Sequence, residues 1–380
     1  MIDGYDLDRD LAAIGRALGN DLPEAAVFYC GRALEVTAAR AVAALGLDPA
    51  AQVFANLDML ERLSLIARPA LTLGHALRRL SNDARHVLRP LSVQDGQFAA
   101  LCLGPWLQWY LSDYFRGPHH APADAGYGIA TPLTAGNVAE LLALLRQAQA
   151  SGEDVSDRLL PLCDARVARL PALAAMVAET LISCGHAEAA HGVLEAARAV
   201  TPDDLRLNQL HALERRRAGH ADEALVLLQA LSGRHSEDEE TLGITAGALK
   251  ASGALAPALQ HYLKGWQVSR ERNLYLGVNA AALLFWQGDA RAAPLATRLV
   301  QVFAGRNARL AAAGIDIAVQ RDYYDEVTEA EARLLAREDA AARTLYAQAF
   351  ARFAARKGDI AGTRFQANRS IALLGGDLLA

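Results

Sequence analysis

Four glycines divide the second half of this 380-residue chain at nearly constant intervals: Gly185, Gly219, Gly253 and Gly288 stand 34, 34 and 35 residues apart. A recurrence at fixed period means one supersecondary unit repeated, and it constrains the fold more than any single motif. The segments are CGHAEAAHGVLEAARAVTPDD, AGHADEALVLLQALSG, SGALAPALQHYLKGW and QGDARAAPLATRLVQVF, with alanine in phase at Ala190, Ala224 and Ala258. Each glycine ends a first helix, and small residues early in the second let two antiparallel helices approach closely. A large apolar residue one turn later, Leu194, Leu228 or Tyr262, is placed to fill the groove against the next unit.

This period is that of tetratricopeptide repeats, and Pro202 sits where such a repeat turns into the next one. Single repeats cannot bury their faces alone, so several stack into a curved superhelix whose concave side is expected to be free for a partner. Apolar residues are 52% of the chain and charged residues 21%, with Ala and Leu dominating and strand formers sparse. An all-α fold is expected throughout, a helical bundle followed by an α-solenoid.

The bundle is read from the first third. Leu7, Leu11, Ile14 and Leu18 recur at helical spacing, and Asn20-Asp21 before Pro23 stop that helix and start one running to about Leu45. Further stretches near Ala55 to Ile66, Leu71 to Val87 and Val93 to Tyr114 carry an apolar stripe. GPHHAPADAGYGIATPLTAG then breaks the pattern. Residues 1–117 are read as the bundle, 118–136 as a linker and 137–380 as the repeats, with helices from Asn137 to Ser151 and Val155 to Leu170 opening them.

Charge and motifs exclude several function classes. A net charge of -5 and pI near 6.1 give no global attraction to a polyanion. Cys30, Cys102, Cys163 and Cys184 lack any CxxC pairing and read as reduced thiols. His119-His120 has no carboxylate or Cys companion, so neither metal nor cofactor is expected. The start, MIDGYDLDRDLAAIG, lacks the layout of a signal peptide, and no long uncharged apolar run follows, so the expected location is cytoplasmic without membrane contact. Phosphate-cradling loops and common hydrolase signatures are absent. The acidic run Ser236 to Glu240 reads as helix capping, Arg215-Arg216-Arg217 as a solvated face, and Trp106, Trp109, Tyr110 and Tyr114 as a packing stripe.

Two resemblances add to this reading. NLYLGVNAAALLFWQGDARAAPLATRLV and RDYYDEVTEAEARLLAREDAAARTLYAQAFA resemble the tetratricopeptide-like regulatory region known as the TRAF-binding domain of apoptosis-signal-regulating kinases, and its bacterial relatives. The matching motif residues are Tyr275, Gly277, Asn279, Ala280 and Ala281, then Asp322, Tyr323 and Tyr324. That resemblance implies a region controlling an effector protein, here in trans, and bacterial relatives are associated with conflict and defence systems. On the residues alone, Asn279 caps or bridges helices and the two tyrosines are core.

LPEAAVFYCGRALEVTAARAV and LRRLSNDARHVLRP resemble an uncharacterised bacterial domain family of the HEPN superfamily, through Arg78, Asn82, Ala84 and His86, with Ser81 where glycine is usual. The superfamily's metal-independent RNA cleavage by Arg-x(4 to 6)-His would fall on Arg79 and His86, paired across a homodimer. A seven-residue step puts both on one helix face, about 10.5 Å apart. The resemblance then implies His86 as base toward a 2′-hydroxyl and Arg79 as the phosphate anchor. The structural alternative has Asn82 and His86 hydrogen-bonded to helix ends or to Glu35 and Arg32. The favoured expectation is a regulatory scaffold that binds a protein partner; the alternative is an RNA-cleaving dimer controlled by its repeats.

Overall fold

The computed structural model describes residues 5–62, 66, 68–86, 90–110, 140–141, 144–145, 147–148, 153–168, 171–312 and 321–379. Among them regular structure is helical, with no strand. Contacts divide the chain into residues 1–143 with 308–321, and 144–307 with 322–380. The stretch 118–136 read as a linker lies outside the described residues, as do His119, His120 and Tyr114.

The first unit holds α1 (Leu7–Gly19), α2 (Pro23–Ala44), α3 (Val53–Arg62), α4 (Arg68–His86) and α5 (Val93–Gln108). Asp6 caps α1 by accepting from Arg9 N, proline opens α2, and Ser92 with Asp95 forms a capping box on α5. Trp106 of α5 is fully buried, and its indole N–H donates to Thr37 Oγ1 of α2 at 2.7 Å. Trp109 and Tyr110 are buried beside it, so the described part of the aromatic stripe is packing surface. Gly31 of α2 lies against Ser81 of α4, where a Cβ would overlap the serine side chain.

The second unit is built from helix pairs: α6 (Pro171–Cys184) with α7 (Ala187–Val200), α8 (Leu205–Arg217) with α9 (Ala221–Arg234), α10 (Glu239–Ala251) with α11 (Leu255–Val268), α12 (Leu274–Trp286) with α13 (Ala292–Ala312), and α14 (Tyr323–Leu335) with α15 (Asp339–Arg352). A last helix, α16, spans Lys357–Leu374. The four periodic glycines turn each first helix into its second at φ of +95°, +94°, +83° and +68°. Each turn closes with a bond back to the first helix, such as His220 N to Arg215 O at 2.9 Å and Ala254 N to Leu249 O at 2.9 Å. Asp204, Asp238, Asn273 and Asp322 cap successive first helices by accepting a backbone N–H three residues on. Within the acidic run, Asp238 is thus the cap and Glu239 and Glu240 the first turn.

Ala190, Ala224 and Ala258 are fully buried, as are Leu194, Leu228 and Tyr262. Gly277 has a packing role: a Cβ there would stand 2.9 Å from both Trp266 and Leu299. Cys30, Cys102 and Cys184 are buried and Cys163 half-buried, all as free thiols.

One expectation is corrected. The helix read from Val155 to Leu170 is broken into Ser156–Leu159, a 3-10 turn at Leu160–Leu162, and Ala165–Ala168. Pro161 has no N–H to continue the α-helical ladder, which outweighs the local apolar pattern. A fifth inter-helix turn also exists without glycine. Arg337 takes φ +68° and Glu338 N reaches Arg333 O at 2.8 Å, 49 residues after Gly288.

Candidate functional site on the inner face of the repeats

α8 packs on α6 and α10, and α12 packs on α14, while α7, α9 and α11 each pack on the first helices before and after them, so the first helices line one face of the second unit. That inner face was expected to be free. Instead α16 lies across it, packing on α6, α12 and α14. Its N-terminal end sits on the first glycine turn: a Cβ on Gly358 would meet Ile182 O at 2.7 Å and Gly185 Cα at 3.1 Å.

From there α16 meets the C-terminal ends of successive first helices in turn. Arg217 of α8 donates to Asp359 Oδ1 at 2.8 Å. Lys250 of α10 donates to Gln366 Oε1, and Trp286 of α12 donates to Ser370 Oγ at 2.9 Å. Tyr323 and Tyr324 of α14 donate to Thr363 and to Asp359, both at 2.7 Å. The seven-residue step from Asp359 to Gln366 advances about 10.5 Å along a helix, close to the 8–10 Å spacing of packed helices. The C-terminal helix therefore fastens the repeats together through polar contacts matched to the repeat spacing.

These contacts overturn the reading of Arg215-Arg216-Arg217 as a solvated face. Arg215 turns to Glu214, at 2.6 and 2.9 Å, and Arg217 is held by Asp359. Arg216 points between α8 and α10, beside Gly247, where an added Cβ would stand 3.1 Å from its terminal nitrogen. Burial, with the neighbouring Arg217, pushes Arg216 below the usual arginine range. Among the described residues no carboxylate pairs with it, and its Nε is buried without a hydrogen-bond partner. An uncompensated guanidinium in crowded surroundings is costly unless something anionic meets it.

Of the Tyr-x-Gly-x-Asn motif, Tyr275 lies close to this arginine. Tyr275 keeps 39% of its surface accessible; burial raises its phenol, and the nearby charge of Arg216 opposes that shift. Its ring meets Tyr324 edge-on, with centroids 6.1 Å apart. Asn279 is 3% exposed, accepts from Lys250 Nζ at 2.8 Å and donates to Tyr275 O at 2.9 Å, bridging α10 and α12. Asp322 remains at the helix cap, paired with Asp325. Lys250 and Glu331 face each other through Gln366, which donates to Glu331 Oε2 at 2.6 Å. Burial lowers Lys250 to about 8 and raises Glu331 to about 7, and each opposes the other's shift by its charge.

The nuclease-type residues are less gathered. Arg79 is exposed on α4 and Asn82 half-buried on the same helix. His86 ends α4, and its side chain lies outside the described residues. Arg32, one of the partners considered for Asn82 and His86, is engaged with Asp10 of α1, its Nε 2.7 Å from Oδ2, and Tyr5 donates to the same carboxylate at 2.8 Å.

Helix pairs with glycine turns, stacked on a shared inner face, define a tetratricopeptide-type repeat region. Residues 186–284 match the family model described as Tetratricopeptide Repeats-Sensor, TPR-S. No curated protein matches the chain. Among the described residues no helix is long and apolar enough to cross a membrane.

Proposed function

We propose that the chain is a regulatory sensor module: an anionic ligand meets Arg216 beside the partly exposed Tyr275, and the repeats and α16 pass the bound state to an effector protein in trans. The observation that carries this reading is the Arg216 guanidinium, close to Tyr262 and Tyr275 and paired with no carboxylate among the described residues. Lys250 adds charge one repeat further on. The family name matched by residues 186–284 supports sensing, and repeat stacks of this type are protein-binding surfaces. The resemblance to regulatory regions of kinases, and to bacterial proteins of conflict systems, supports control of an effector and a defence setting. In this reading the HEPN-like bundle is the dimerising or output element.

Because α16 occupies the inner face, this reading has the protein partner on the outer helices or on α16 itself, where Phe365 is 71% exposed. The test is thermal unfolding with inorganic pyrophosphate against sodium chloride of equal ionic strength. Wild type is expected to be stabilised by pyrophosphate and Arg216→Met to lose the effect; equal responses would remove the proposed input.

Exposure of Arg79 keeps a second reading in play, in which the bundle cleaves RNA as a dimer under control of the repeats. RNA cleavage in EDTA by wild type, absent in His86→Ala, would establish it.

A further inference from the structure

Apart from the surroundings of Arg216, two imidazoles and two carboxylates meet where α7 packs on α8. His191 and Glu195 lie one turn apart on α7, and His211 and Glu214 three residues apart on α8, so each helix presents a His/Glu pair on one face. Carboxylate and imidazole pairs projecting from facing helices are a recurrent way of building a metal site in helical proteins.

The geometry is close to a ligand set. His191 Nδ1 is 3.0 Å from Glu214 Oε2, and the two histidine rings lie 5.5 Å apart. One donor atom each from His191, His211 and Glu214 lies within 4.8 Å of the other two. Glu195 Oε1 stands 3.6 Å from His211 Nε2. His211 is 8% exposed, and its buried Nδ1 has no hydrogen-bond partner. The Glu214 side chain is fully buried and is held by Arg215, as second-sphere groups hold ligating carboxylates. His191 is 38% exposed at its side chain, which leaves an approach from solvent.

We infer that His191, His211 and Glu214 form a binding site for a zinc-class divalent ion, with Glu195 or water as fourth ligand. Two neutral imidazoles with a carboxylate favour zinc-class ions over magnesium or calcium, which prefer oxygen alone. Tetrahedral zinc with bonds of about 2.0–2.1 Å places ligand atoms roughly 3.4 Å apart, so the present cluster needs only a small contraction by side-chain rotation. The ion would tie one repeat's second helix to the next repeat's first.

The test uses the full chain, stripped with EDTA and titrated with Zn2+ by calorimetry and with Co2+ by visible absorption. Expected are one Zn2+ per chain, a raised unfolding temperature, and the intense absorption of tetrahedral Co2+. His191→Ala, at a partly exposed position where the fold is kept, and Glu214→Gln should each lose stoichiometric binding, while His220→Ala, beside the exposed Glu223, should bind as wild type. Failure of wild type to bind Zn2+ stoichiometrically, or undiminished binding by a folded His191→Ala chain, would overturn the inference.

Discussion

Arg217 and Asp359, separated by 142 positions in sequence, meet with Nη2 2.8 Å from Oδ1, and this pair joins the second repeat helix pair to the last helix of the chain. Asp359 is 3% exposed and also receives Arg356 at 2.9 Å and the Tyr324 hydroxyl at 2.7 Å. One carboxylate thus serves three donors from three helices or turns.

Removing its charge should be costly. Asp359→Asn leaves two guanidiniums without their shared anion, and breaking a buried pair of this kind costs about 3–5 kcal/mol. Hydrogen exchange should show α16 losing protection before the helix pairs do. Unchanged protection across 357–374 would mean that the polar contacts do not hold the helix.

The Lys250 and Glu331 pair gives stability an unusual pH profile. Glu331 is raised to about 7, so between its unfolded value and 7 the folded chain binds the extra proton, and stability falls as pH rises through that window. Lys250 is lowered to about 8, so between 8 and its unfolded value the unfolded chain binds the extra proton, and stability rises with pH there. The pair therefore contributes a minimum near pH 7–8. Unfolding temperature plotted against pH should show a shallow dip near neutrality that flattens in the Lys250→Met, Glu331→Gln double variant.

Three glycine-to-alanine changes separate backbone from packing effects. Gly253→Ala meets nothing within 4 Å, yet at φ +83° should lose about 1 kcal/mol to left-handed strain. Gly277→Ala lies inside α12, where alanine favours helix by about 1 kcal/mol, but contact with Trp266 and Leu299 should reverse the sign. Gly233→Ala, inside α9 with open space around it, should stabilise by up to about 1 kcal/mol. Denaturant midpoints for the three variants check the order.

Thr37→Val tests the bundle core. It leaves the indole N–H of fully buried Trp106 without its acceptor, at a cost of about 1–3 kcal/mol. A loss well below that range in chemical denaturation would mean that the indole finds another acceptor.

The repeat was legible because its cause is local: a left-handed turn needs glycine, and a close helix crossing needs alanine, at a fixed step. Where Arg337 takes the same backbone conformation, the fifth turn left no trace in the spacing. The inner-face site was legible only in part. Tyr275, Asn279 and Tyr324 carried a family pattern, but Arg216 read as surface because polarity at helical spacing looks the same on an outer face and on an inner face covered by a polar helix. Nothing local in α16 announces that it crosses five earlier helices; its hydrogen-bond partners on them sit 35 to 142 positions away. The His191, His211 and Glu214 cluster was invisible for the same reason, since its halves are unremarkable until two helices bring them together.

The most direct test of the central claim, that Arg216 senses an anion and α16 carries the response, is hydrogen exchange of residues 357–374 with saturating pyrophosphate and with sodium chloride of equal ionic strength. Pyrophosphate is predicted to change α16 protection in wild type and to leave it unchanged in Arg216→Met. Identical exchange in wild type under both conditions, or an equal pyrophosphate response in Arg216→Met, would contradict it.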